Sequence, residues 1–181
     1  MSVAFPSSPP GVHGYDPEAV DTFLDNARSV YEAGEGDLTS SDIRQVVFPL
    51  VGKGGYETEA VDQALWRLEE AFAKREREGQ TREIGETDYY QSVRQQAQDI
   101  LDRVARPQKS KFRRATIVHH GYHPNDVDHF CQRLVAYFQG QEPLSVATVR
   151  NQKFRTILGG YDEIQVDQVL DETVSVMLAV R

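Results

Sequence analysis

Four stretches of the chain repeat one pattern of apolar and polar positions, anchored on a Gly-Tyr pair: Gly14-Tyr15, Gly55-Tyr56, Gly121-Tyr122 and Gly160-Tyr161. Five and six residues after each tyrosine stands Val-Asp, as Val20-Asp21, Val61-Asp62, Val127-Asp128 and Val166-Asp167. Counting from each valine, apolar residues recur at i+4 (Leu24, Leu65, Cys131, Leu170). They recur again at i+7 (Ala27, Leu68, Leu134, with Thr173) and at i+11 (Tyr31, Phe72, Phe138, Met177). This is the seam of an amphipathic helix. Phe23, Ala64, Phe130 and Val169 widen it to a core-facing stripe.

The start of each helix is also legible. Asp16 is an N-cap residue, Pro17 suits the first helical turn and Glu18 the positive end of the dipole. Tyr15 and Val20 then hold the positions of a hydrophobic staple. Asp162 caps the fourth helix, with Gln165 placed for a capping box. Helices are expected to begin within about two residues of Asp16, Glu57, His123 and Asp162. The glycine before each tyrosine is expected to supply a backbone bend.

Copies two and four carry a front end, Leu38–Arg44 before Phe48 and Leu144–Arg150 before Phe154, each read as a short helix of about two turns. Copies one and three keep an aromatic nearby, Phe5 and Phe112. One copy is too small to close a core against its chain entropy, so two must pack their seams together. The expected organisation is a duplicated pair. Pair one spans residues 1–73 (copies at 5–33 and 38–73) and pair two residues 111–181 (copies at 112–139 and 144–181). Residues 74–110 form a charged linker and a central helix. Gly79 is read as a helix stop, and Thr87–Ala105 as a helix with a seam of Tyr90, Val93, Ala97, Ile100 and Val104. That helix packs onto a neighbouring pair or onto its counterpart in a second chain, the route to self-association. The fold class is all-α: four short helix-loop-helix or loop-helix repeats joined by a central helix, without sheet. A β-sheet through any Gly-Tyr segment would overturn the repeat reading, whatever the function proves to be.

Charge changes the picture of partners. A net charge of −8 opposes general binding to nucleic acid or anionic lipid. One cysteine, Cys131, cannot form an internal disulfide, and the opening MSVAFPSSPPG has neither charged leader nor apolar run, so a cytoplasmic location is expected. No segment reaches the ~20 apolar residues of a spanning helix.

The pattern Leu-Thr/Ser-x-x-(Asp)-Ile/Val-Arg, then Phe, then Gly-Tyr-Asp-x-x-x-Val-Asp-x-x-Leu-Asp resembles the N-terminal domain of the DivIVA family. The fourth copy is nearest, through Phe154, Gly160-Tyr161-Asp162, Val166-Asp167 and Leu170-Asp171. The first matches through Gly14-Tyr15-Asp16, Val20-Asp21 and Phe23-Leu24-Asp25. The resemblance implies a scaffold or adaptor of bacterial division or polar growth, working through other proteins of the division or envelope machinery. Two features of that family are missing. The first helix runs into Gly34-Glu35-Gly36 instead of a long coiled coil. No Phe-Arg pair precedes any Gly-Tyr, where Val12-His13, Lys53-Gly54, His119-His120 and Leu158-Gly159 stand instead. Direct membrane binding is therefore expected to be weak or absent, with Phe112 of the basic stretch Lys109–Arg114 packed inward.

Candidate chemistry is sparse. The segment His119–Cys131 holds four histidines, two aspartates and a cysteine, the donors of a transition-metal site. The alternative function is thus a metal-binding enzyme or sensor. The preferred reading gives His123 a capping role, Cys131 a core position and His119 and His120 a loop, with no metal or other cofactor. Phosphate-loop, Gly-x-Ser-x-Gly and His-Glu-x-x-His signatures do not occur, so no catalytic residues are assigned. The recurring Asp21, Asp62, Asp128 and Asp167 are expected to pair with Arg44 or Arg150.

Overall fold

The computed structural model describes residues 5–34 and 36–181. The start of the first expected pair, residues 1–4, and the centre of Gly34-Glu35-Gly36 lie outside the described residues. The chain is mostly α-helical and divides into two compact units, Met1–Gly79 and Gln80–Arg181.

The first unit runs β1 (Gly14–Tyr15), α1 (Pro17–Ala33), α2 (Ser40–Gln45), β2 (Leu50–Val51) and α3 (Thr58–Ile84), whose last turns extend past Gly79. Asp16 caps α1, its carboxylate accepting from the Glu18 N–H at 3.2 Å. Gly34 ends the helix in the left-handed conformation at φ 71°, as C-terminal glycines commonly do. At α2, Thr39 and Asp42 form a reciprocal capping box. The carboxylate of Glu76 adds bonds to the Ser40 N–H and hydroxyl, both at 2.6 Å. These tie α2 to α3. Deeper in, Arg44 donates to the fully buried Glu69 at 2.6 Å. Around this pair Val20, Ile43, Phe48, Val61, Leu65 and Phe72 form one apolar core, flanked by Tyr15, Phe23, Leu24 and Leu68. The seams of α1 and α3 thus share one core, as their spacing requires.

The second unit continues with α4 (Glu86–Val104), β3 (His120–Tyr122), α5 (Pro124–Phe138), α6 (Val146–Arg150), β4 (Thr156–Leu158) and α7 (Glu163–Ala179). Helix α4 packs on α5 and α7, and α6 on α7. Its seam is Tyr89, Val93, Ile100 and Val104, all buried, with Tyr89 in the place expected for Tyr90. From α5 the core takes Val127, Phe130, Cys131 and Leu134. From α7 it takes Val166, Val169, Val174, Val176, Met177 and Leu178. Leu170, like Leu24, is half-buried, because α7 turns Val169 and Thr173 to the core instead. The Lys111 ammonium is itself buried and donates to the carbonyls of Val104 and Arg106, closing the end of α4.

All four helices begin one residue after their expected caps, at Pro17, Thr58, Pro124 and Glu163. Four expectations fail. The chain is not free of sheet: β1 pairs antiparallel with β2, and β3 with β4, through the Gly-Tyr segments themselves. Ribbons of two and three residues are too short for alternation to register in the sequence. Gly79 does not stop a helix, since its cost of ~0.5–1 kcal/mol is outweighed by the helix formers around it. The stop falls at Gly85, with φ 88°. Gln165 makes no capping box, because its side-chain oxygen accepts from the Arg113 N–H at 3.0 Å. The glycine before each tyrosine makes no left-handed bend either. Positive φ falls one residue earlier, at Gly54 (69°) and Gly159 (65°).

Burial sets the expected cost of trimming each seam. Leu65→Ala should lose about 2–5 kcal/mol in urea denaturation, and the half-buried Leu170→Ala about 1–2 kcal/mol. Equal losses would show that α7 packs differently.

Candidate functional site

Each unit centres on the meeting of its two Gly-Tyr segments. In the first, the Tyr15 N–H donates to the Tyr56 carbonyl at 3.0 Å and the Tyr56 N–H to the Tyr15 carbonyl at 2.8 Å. In the second, Tyr122 and Tyr161 make the same exchange at 2.9 and 2.8 Å. Such doubly bonded antiparallel pairs bring backbones close. The glycines make this approach achievable. A Cβ on Gly55 would lie 2.7 Å from the Gly14 carbonyl carbon, and one on Gly160 would overlap the backbone of Gly121 and Tyr122. Glycine is required for lack of bulk, not for a special φ.

The side chains then cross. The Tyr15 hydroxyl donates to Asp62 at 3.2 Å, and that of Tyr56 to Asp21 at 3.2 Å. Likewise Tyr122 reaches Asp167 at 3.3 Å and Tyr161 reaches Asp128 at 3.0 Å. Each tyrosine therefore bonds the aspartate that follows the other segment's valine. Val20, Val61, Val127 and Val166 lie buried beside these bonds. The Tyr161–Asp128 link is the most enclosed. Both residues are buried, and Asp128 also accepts from the Lys109 N–H at 2.7 Å.

Electrostatics follow burial. Desolvation raises the Tyr122 hydroxyl to about 12, reinforced by the Asp167 carboxylate. It raises Tyr161 to about 12 as well, against the opposing hydrogen bond from the Lys111 N–H. Asp62 and Asp167 are also pushed upward by desolvation, opposed by their tyrosine bonds.

The motif aspartates thus accept from tyrosine hydroxyls, partners not expected from the sequence, where Arg44 or Arg150 had been expected. Arg44 goes to Glu69. Tyrosine wins because the crossed segments place its hydroxyl over the neighbouring helix start, while α2 aims Arg44 along α3. The histidine-rich segment is dispersed. His119 bonds Thr116, and His129 is exposed. His123 occupies the cap position of α5, where its side chain makes no capping bond. Asp126 is held near 2 by hydrogen bonds from Arg155. Burial drives the Cys131 thiol up to about 12. Among the described residues no three His, Cys, Asp or Glu side chains converge as a ligand set. Phe112 packs inward, edge-on to Tyr161.

Exposed aliphatic side chains on and beside the ribbons were not expected from the sequence: Ile117, Val118, Ile157 and Leu158 in the second unit, and Val12, Val47 and Leu50 in the first. Their signal was β-branched runs outside any helical period, such as Ile117-Val118 and Val46-Val47.

Comparisons of the chain with protein-family models, curated proteins and solved structures find no match.

Two measurements test the crossed bonds. Tyr161→Phe leaves a buried carboxylate oxygen without its donor and should cost about 1–3 kcal/mol in urea melts. Tyr122→Phe, opposite an exposed Asp167, should cost well under half of that. Equal effects would remove the distinction in burial. In an alkaline titration followed by tyrosinate absorbance, Tyr122 and Tyr161 should ionise near 12. Since a raised folded pKa favours the neutral phenol, their contribution to stability is complete below ~10 and lost as pH rises through the folded value. Loss of the late phase in a Tyr122→Phe, Tyr161→Phe chain identifies it.

Proposed function

We propose that this protein is a non-enzymatic scaffold or adaptor, related to the DivIVA proteins of bacterial division and polar growth, that acts through protein–protein contacts. In this reading the chain is four diverged copies of one motif arranged as a duplicated pair, with α4 as the central helix. The observation that carries it is the use of the motif. Its glycines, tyrosines, valines and aspartates are engaged with one another in corresponding bonds in both units. They form a joint rather than a reaction centre. The Gly-Tyr ribbons are the sheet expected above to overturn the repeat, and what supports keeping it is their correspondence in the two units. They occur in both, with the Tyr–Tyr exchange at matching positions. The exposed aliphatic residues at the ribbons supply contact surface of the kind a partner covers.

Recruitment to the envelope, in this proposal, runs through a protein. Among the described residues no helix is long and apolar enough to cross a membrane, and the net charge of −8 opposes an anionic surface.

Affinity capture from the native host, read by mass spectrometry, tests the function. A reproducible set of division or envelope proteins, lost when Ile117 and Leu158 are both changed to Asp, is expected. A stoichiometric metal in the purified protein, with no protein partner, would replace this reading by the metal-dependent one.

A further inference from the structure

Strand β4 has one covered edge and one open edge. On the covered side the Arg155 carbonyl accepts from the His123 N–H at 2.7 Å, and the Gly159 N–H donates to the His119 carbonyl at 3.0 Å. Between them Thr156 stands opposite Tyr122. Tyr122 commits both its N–H and its carbonyl to Tyr161, on the far side of β3. In an antiparallel ladder alternate residues bond the neighbouring strand. The odd-numbered positions around β4 therefore serve the ladder, and the N–H and C=O groups of Thr156 and Leu158 face outward. Among the described residues no strand or bridge lies on that side. Thr156, Ile157 and Leu158 are all exposed.

An open edge is a template for another extended chain, and proteins commonly blunt one with a charge or a proline on the strand itself. Strand β4 carries neither; its residues suit strand pairing, two of the three being β-branched. The first unit has a smaller version of this edge. Leu50 and Val51 hold the register of Thr156 and Ile157, and Gly52 stands in the place of Leu158.

Charge defines the segment that fits. Residues 103–125 and 143–161, which carry β3 and β4, hold nine Lys and Arg and no Asp or Glu. Some of these cations are committed. Arg113 pairs with Asp162 and Arg155 with Asp126, and Lys111 is buried against main-chain carbonyls. Two others stand at opposite ends of β4. Lys153 is exposed just ahead of the strand. Arg114 lies at the other end, where it donates to the Gly159 carbonyl at 3.3 Å and covers the Tyr161 ring, both neutral partners.

We infer that the outer edge of β4 takes an extended segment of a partner protein as an added strand, with apolar or β-branched residues inside and acidic residues at both ends. Main-chain bonds to Thr156 and Leu158 hold the segment, as in other cases of strand addition. Its inner residues cover Ile157 and Leu158, 43% and 55% exposed, and its acidic ends meet Lys153 and Arg114. This deepens the scaffold reading and rests on it, by stating the chemistry of the partner.

A peptide array read by fluorescence anisotropy tests this on the full chain. Its members are seven-residue peptides with Val, Ile, Leu or Thr at the five inner positions and Glu at both ends, matched by a set ending in Lys. Acid-ended members should bind saturably at low salt, at least tenfold more tightly than their Lys-ended counterparts, with the difference shrinking as salt rises. An added strand bonds through alternate residues only. N-methylation of one alternate set of nitrogens in a bound peptide should therefore abolish binding, while methylation of the other set leaves it intact. Thr156→Pro removes an outward N–H without touching a ladder bond, a substitution edge strands accept. It should weaken binding at least tenfold with far-UV circular dichroism unchanged. Lys153→Glu, outside the strand, should weaken binding several-fold, and with the methylation pattern it decides the matter if the proline variant fails to fold. No saturable member, equal binding of the Lys-ended set, indifference to which nitrogens are methylated, or edge-to-edge dimers of the chain itself would overturn the inference. An array that fails while division or envelope proteins are still captured from the host sinks the inference alone. An array that binds while capture fails leaves the edge site and removes the scaffold reading.

Discussion

The structure depends on the close approach of two glycine backbones in each unit. Antiparallel exchange between Tyr15 and Tyr56, and between Tyr122 and Tyr161, requires that no side chain stand between the strands. Once that contact forms, each helix start is fixed relative to the other. The valines reach the core, and the tyrosine hydroxyls lie over the opposite aspartates. Hydrogen bonding explains the geometry of the joint, but apolar burial provides most of its stability. Individual exchanges contribute about 1 kcal/mol net, whereas each buried valine contributes about 1.5–3 kcal/mol.

The units build on this joint with different polar supports. In the first, Arg44 and Glu69 form an ion pair inside the core, and Glu76 holds the start of α2. In the second, Asp128 collects the Tyr161 hydroxyl and the Lys109 N–H, and the Lys111 ammonium closes α4. Removing one partner of such a buried pair costs far more than the pair contributes when intact.

Much of the helical framework was legible in the sequence. Val20, Val61, Val127 and Val166 announced the buried faces, and Asp16 and Asp162 the helix starts, because 3.6-residue periodicity and capping are local properties. What escaped was non-local. Nothing in the spacing of Gly14 and Gly55 shows that they touch, so the sequence points to a bend where the structure makes a close approach. The crossed Tyr–Asp bonds escaped for the same reason, since each joins residues 33 to 47 positions apart. Ile117, Val118, Ile157 and Leu158 lay outside every helical period, and a ribbon of three residues leaves too little alternation to detect.

The burial of Cys131 has a practical consequence. It is the chain's one thiol, it sits on the core side of α5, and its pKa near 12 keeps it protonated at neutral pH. A thiol reagent therefore meets no reactive sulfur while the second unit is closed. When the reagent is concentrated enough to outpace reclosing, labelling proceeds at the rate at which α5 lifts from its neighbours, and no other sulfhydryl contributes to the signal. The native sequence thus contains a single-site clock for the opening of one unit, readable by mass without any engineered probe.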